Sequence, residues 1–190
     1  MWLVAAFNRM AGRFVLEGKL GCPVCHANYA VENGIPDLRT DPFAVAGGDE
    51  TEKASDPDAA VRLAAFLNLT REGATVLLSG AHADSAHGVA ELAVSRTFAL
   101  RTHAAPARDE SELVATVLAD TRLPFATSSI DGIAIENNEF SLAEISRVLK
   151  PGGRLVAPST TKLEGSVREL ARNEDYVVAE AIGPLLNLRR

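Results

Sequence analysis

The stretch ATVLLSGAHADSAHGVAEL, from Ala74 to Leu92, has the outline of a strand, a tight turn and a helix. TVLLS is a short apolar run of the kind that forms a buried strand, and Gly80 opens the turn that follows. A strand that passes through a short turn into a helix is the building unit of α/β proteins. In a nucleotide-binding protein of that class the turn is rich in glycine, because bare backbone must approach the ligand. Here Gly80 is followed by His82, Asp84 and His87. The turn is either a ligand site with unusual chemistry or one whose chemistry has been dismantled.

The alternation continues on both sides. Upstream, DAAVRLAAFLNLTREG reads as a helix capped by Asp56 or Asp58 and ended by Gly73, with Val61, Ala64, Ala65 and Leu69 on one face. Downstream, TFALRT reads as a strand, and SELVATVLAD as a helix, a strand or some of each. IDGIAIEN, GGRLVAPS and YVVAEAI read as strands, and SLAEISRVLK and SVRELARN as helices. The pattern predicts an α/β domain over residues 58–190, with an open, Rossmann-like, largely parallel sheet covered by helices on both faces. The final Leu185, Leu186 and Leu188, followed by two arginines, read as an edge strand or an anchoring tail.

Ahead of that domain, residues 41–57 combine Gly47-Gly48, two prolines and many charges, which predicts a linker. Residues 1–40 predict a small β-rich unit. RFVLEGKL reads as two short strands joined through Glu17-Gly18, and CPVC (Cys22–Cys25) as a tight knuckle. NYAVENGIPDL gives a strand, an Asn33-Gly34 turn and an exit through Pro36.

Composition narrows the function classes. The chain has 190 residues, 47% hydrophobic and 23% charged, so it can bury a core, and aromatics at 5% leave that core to aliphatic side chains. A net charge of −6 argues against a nucleic-acid or anionic-membrane binder. No apolar run approaches the roughly 20 residues of a membrane-spanning helix, and MWLVAAFNRM lacks a basic region ahead of its apolar run. With only Cys22 and Cys25 there is no disulfide framework, and a cytoplasmic location is expected.

The run Leu123-Pro124-Phe125, then Ser129-Ile130-Asp131, then Glu144 and RVLKPGGRL (Arg147–Leu155) resembles the second half of class I S-adenosylmethionine-dependent methyltransferases, in particular the type 11 small-molecule branch. Residue order and spacing both follow that pattern. The N-terminal unit resembles a second family, the small bacterial zinc ribbons of the tRNA-methyltransferase-activator type. Cys22-Pro23-Val24-Cys25, Tyr29-Ala30-Val31 and Asn33-Gly34-Ile35-Pro36-Asp37-Leu38 carry that likeness.

Against these resemblances, the ligand determinants are depleted. A structural zinc site needs four ligands, usually from two knuckles. Where the first would lie stand Phe7-Asn8-Arg9-Met10, so Phe7 and Met10 are expected to fill the space as a metal-free mini-core, with Cys22 and Cys25 left as a remnant pair. A site completed by His26 or a distant histidine is the lesser alternative. CPVCH also matches a haem attachment pattern, which would require an export signal that is not visible. The methyltransferase resemblance implies an acid at the end of the first strand and a GxGxG turn. This sequence has Leu78 in the acidic position, Gly80 as the first glycine, and His82 and Asp84 in the next two. His82 is expected to crowd the cofactor space, and Asp84 to cap the following helix. The ribose-binding acid should close the second strand, where Arg101, Thr102 and His103 stand. Asp120 lies near the place of an adenine-side acid.

Other candidates carry weaker patterns. His82 and His87 are five residues apart, a poor spacing for a shared helical face. Ser79 lacks the surroundings of a nucleophile elbow. Residues 136–139 (ENNE) follow a strand where such folds often place catalytic groups, and they read more simply as loop residues. Neither a catalytic residue nor a metal or cofactor is expected. The sequence predicts a non-catalytic methyltransferase-like protein serving as a structural or accessory subunit of a larger protein assembly, with peripheral docking to a membrane complex open. The alternative is a divergent methyltransferase that binds S-adenosylmethionine through Gly80, Asp120 and the loop after Ile135.

Overall fold

Val76, Leu77 and Leu78 have no exposed surface, and they lie in an interior strand of a seven-stranded sheet. The computed structural model describes residues 3–12, 14–24, 26–39, 56, 58–102, 111–137 and 140–183. Cys25, His103, Glu139, most of the linker and the C-terminal leucines lie outside the described residues.

The N-terminal unit is a four-stranded antiparallel meander: β1 (Val4–Ala11), β2 (Phe14–Gly21), β3 (Asn28–Glu32) and β4 (Ile35–Pro36). Helix α1 (Ala59–Phe66) leads into the larger domain. There β5 (Thr75–Ser79) passes through a 3-10 turn (Gly80–Ser85) into α2 (Ala86–Ala93). Strands β6 (Arg96–Arg101), β7 (Val114–Leu118) and β8 (Ile130–Ala134) follow, then α3 (Leu142–Val148) and β9 (Leu149–Pro158). The antiparallel pair β10 (Val167–Arg172) and β11 (Tyr176–Ala181) completes the described chain.

The sheet order is β10-β11-β9-β8-β5-β6-β7. Strands β7, β6, β5, β8 and β9 run parallel, and β11 pairs antiparallel with β9. Alternation along β5 feeds two cores. Leu77 faces one with Ile133, Ile145, Val148 and Leu155, so α3 covers that face. Val76 and Leu78 face the other with Leu63, Leu67, Ala86 and Val89, so α1 and α2 cover that one. Strands buried on both faces read as continuous apolar runs, which is why the sequence reveals them. The chain builds outward from β5 to β7 and then returns to place β8 on the other side of β5. This reversal opens a crevice at the carboxyl ends of β5 and β8.

The two sheets meet at one edge. Asp37 bridges to Leu118 of β7, the Leu38 N–H donates to the Leu118 carbonyl at 2.8 Å, and Leu38 packs against the core on the α3 side. The exit from the small unit thereby covers the β7 edge, which would otherwise present unpaired backbone.

Several expectations need correction. SVRELARN is strand β10, because its backbone pairs with β11 and closes the sheet. The described part of RFVLEGKL lies in the single strand β2, Phe14–Gly21, paired with β1 on one side and β3 on the other. The segment holding Phe7 and Met10 is strand β1, and both side chains are exposed, so they form no mini-core. Helix α1 ends at Phe66, with Asn68 in the left-handed region at φ 51°, well before Gly73. It buries Leu63 and leaves Val61 exposed, so the buried face lies about a third of a turn from the expected one. The helix before the Pro151-Gly152-Gly153 segment ends at Val148. Leu149 already pairs with Ile130, and residues 150–153 bulge out before Arg154 pairs with Gly132.

Candidate functional site

The crevice at the switch point is built around the turn after β5. Gly80 has φ +62°, a left-handed conformation that suits glycine. A Cβ at this position would lie 2.6 Å from Glu136 Oε2 and 2.7 Å from Glu136 Cβ. The Ala81 N–H donates to Glu136 Oε2 at 2.7 Å. Glu136 follows the end of β8, directly across the crevice from the β5 turn. The bare backbone that glycine exposes is therefore covered by the protein's own carboxylate. The sequence reading treated Glu136 as an ordinary loop residue. Its charge two residues past a buried strand end was the available signal.

Beside this contact lies a cleft of about 440 Å3, lined by α1, the turn, Glu136, Val156 of β9 and Tyr176 of β11. Three rings gather in it. His82 faces Tyr176 at 5.7 Å between centroids with a 48° tilt, and Phe66 faces Tyr176 at 6.4 Å with a 57° tilt. His82 thus leans on an aromatic neighbour from β11. Arg62 pairs with Asp56 at 2.6 Å along the rim, and the guanidinium holds that carboxyl below the usual range. Neither Tyr176 nor Arg62 is identified from sequence: Tyr176 lies far from the turn along the chain, and Arg62 reads as a charge on the solvent side of the preceding helix.

On the β6 side the crevice is crossed by an ion pair. Arg101 at the end of β6 donates to Asp84 Oδ1 at 2.5 Å. Asp84 faces Arg101 instead of capping α2, whose N-cap position is Ser85. Beyond it, the Arg39 guanidinium from the small unit donates to the Thr102 carbonyl at 3.3 Å and to both Asp37 oxygens. The hydrogen bond from Arg39 holds the Asp37 carboxyl below its usual range, against the opposing effects of burial and of nearby Asp120. Asp120 accepts from the Thr121 N–H and faces Asp37 across the β7 end.

The remaining candidates separate. Leu78 is wholly buried in the core beneath the turn, and Ser79 is buried too, out of reach as a nucleophile. His87 lies on α2, outside the residues lining the cleft. Cys22 is buried; its N–H donates to the Ala27 carbonyl and its carbonyl accepts from the His26 N–H. Among the described residues no group of three or more His, Cys, Asp or Glu side chains is placed to hold a metal ion.

The run that carries the methyltransferase resemblance forms a clamp. Glu144 and Arg147 pair at 2.6 Å on α3. Arg147 donates to the Phe125 and Leu123 carbonyls at 2.8 and 2.9 Å, and Glu144 accepts from the Leu123 N–H at 2.9 Å. Ser141 caps the helix by accepting from the Glu144 N–H. Nearby, Asp131 accepts from the Thr75 N–H and pairs with Lys150, tying together the starts of β5, β8 and β9. None of these groups lines the cleft.

No family model matches the chain, and no curated protein matches it. Solved structures do. One is the [4+2]-cyclase SpnF, with 23% identity and a TM-score of 0.44, covering 52% of this chain and 43% of that one. Another comes from the complex between the Haloferax volcanii Trm112 methyltransferase activator and a protein named as a methyltransferase, with 22% identity and a TM-score of 0.40 over 52% and 48% of the two chains. A third is geranyl diphosphate C-methyltransferase from Streptomyces coelicolor A3(2), with 19% identity and a TM-score of 0.42 over 52% and 41%. The chain spans less than half the length of each of these proteins. The similarity concerns fold. The strand order and the switch-point crevice stand independently of it.

Proposed function

We propose that this chain is a non-catalytic methyltransferase-like protein that keeps the scaffold and acts as a structural or accessory subunit of a larger protein assembly. The observation that carries the reading is Glu136 on the Ala81 N–H, over Gly80. A cofactor approaching this turn would have to displace a charge-assisted hydrogen bond before forming its own. The residues present do not fit S-adenosylmethionine. In this reading Glu136 and His82 stand at the turn where its methionine end would approach. The route toward the β6 end is crossed by Asp84 and Arg101, and Arg39 occupies the Thr102 carbonyl beyond. No reaction step is derived through that cofactor. The Glu144–Arg147 clamp and the Asp131–Lys150 tie are framework contacts, consistent with a fold kept for its surface.

The partner in this reading is a protein. The net charge of −6 disfavours a nucleic acid, and among the described residues no helix is long and apolar enough to cross a membrane. Gentle isolation from the native source tests the accessory role. A species well above the 20.1 kDa of one chain, containing a second protein in fixed ratio, is expected. A lone monomer contradicts it.

The second reading, a divergent S-adenosylmethionine-dependent methyltransferase of unknown acceptor, draws on one observation. The crevice still holds an open cleft of about 440 Å3 beside Gly80.

A further inference from the structure

The cleft at the switch point is partly closed, but it is not filled, and its lining is selective. At about 440 Å3 it is within the usual size range for small-ligand sites. Its walls are Leu63, Phe66, Val156 and the rings of His82 and Tyr176, and its charged lining is Asp56, Asp84 and Glu136 against Arg62 alone. Asp56 is paired with Arg62 and Asp84 with Arg101, so the charges around the cleft sum to one negative, which still disfavours an anion. A metal ion is disfavoured as well, since no three ligating side chains converge among the described residues. A nucleoside-sized ligand would also need the β6 end, where Arg101 is engaged by Asp84.

The geometry points to a binding site for a small organic cation with an alkylated ammonium head, seated against the rings of Tyr176, Phe66 and His82 with Glu136 supplying the counter-charge. The Phe66 and His82 rings are tilted 57° and 48° from the plane of Tyr176, and the three rings together line an aromatic corner of the cleft. Aromatic faces attract cations through the ring quadrupole, and a weakly hydrated alkylammonium loses little by leaving water. Glu136 keeps one oxygen on the Ala81 N–H, which fixes the carboxylate beside the corner instead of leaving it to rotate. The site rests on the reading that the nucleoside side of the crevice is closed.

Choline is the probe, titrated calorimetrically into the purified chain. Its neutral isostere 3,3-dimethylbutan-1-ol and S-adenosylmethionine are titrated in parallel. Saturable choline binding is expected, with the isostere at least about tenfold weaker, because cation–π and charge contributions of this kind are worth that much. Tyr176→Leu and Glu136→Gln should each weaken choline about three- to tenfold, and Tyr176→Phe should retain it. Thermal melts show that each variant is folded. Equal affinity for choline and its isostere, or no choline binding to about 10 mM, overturns the inference. If S-adenosylmethionine is also silent, that failure leaves the non-catalytic reading standing. Micromolar S-adenosylmethionine binding overturns both.

Discussion

Glu136 and Gly80 occupy each other's space across the switch-point crevice. The Glu136 carboxylate takes the Ala81 N–H at 2.7 Å, and a side chain at Gly80 would strike both its Oε2 and its Cβ. Glycine at the turn and glutamate after β8 are one device. The left-handed φ needs the first, and the uncovered N–H is satisfied by the second.

Gly80→Ala should destabilise the fold by roughly 1–3 kcal/mol, from backbone strain and the collision with Glu136. In a Glu136→Gly background the collision disappears and the strain remains, so the double mutant should lose less than the sum of the single mutants. Denaturant unfolding of the four proteins measures the coupling. Strict additivity would mean that the two residues do not meet.

Glu144→Ala should destabilise by about 1–3 kcal/mol, because it removes the carboxylate partner of Arg147 and leaves the Leu123 N–H without its acceptor. The hydrogen bond from Arg147 lowers the Glu144 carboxyl below its ordinary value, with burial opposing and the Leu123 N–H assisting. A depressed carboxyl stabilises the fold fully above its unfolded pKa and loses that contribution as pH falls through the folded value. Melting temperature should therefore fall more steeply on acidification in the wild-type chain than in Glu144→Gln. Parallel acid curves for the two proteins would show that the pair contributes nothing.

Phe7→Ala and Met10→Ala should each change stability by less than about 0.5 kcal/mol, since both side chains lie on an exposed strand. A loss of about 2–5 kcal/mol in either variant, the range for truncating a packed core residue, would restore the mini-core inferred from sequence.

The parts of the fold legible in the sequence are those with short-range causes. Leu77 and Leu78 lie in a continuous apolar run, and Ser141 announces α3 through its cap. Strand β10 reads as a helix from sequence because Val167, Leu170 and Ala171 fall at i, i+3 and i+4 with charges between them. Its pairing with β11 decides the matter. The same limit applied to the site. Gly80, His82 and Asp84 stood out as departures from a familiar turn, but their partners Glu136, Tyr176 and Arg101 come from other strands. Sequence shows which turn residues are unusual, and only the strand order shows what covers them.

Metal analysis of the purified chain should find less than one zinc per molecule. Cys22 is buried in a knuckle that bonds to its own backbone, and no ligating cluster assembles among the described residues. Stoichiometric zinc would return the N-terminal unit to the zinc ribbons it resembles.

The most direct measurement is calorimetric titration of the cofactor-stripped, folded chain with S-adenosylmethionine. A turn covered by Glu136 and a crevice crossed by Asp84 and Arg101 predict no saturable heat up to millimolar ligand. Binding in the micromolar range would contradict the account and identify the crevice as a working cofactor site.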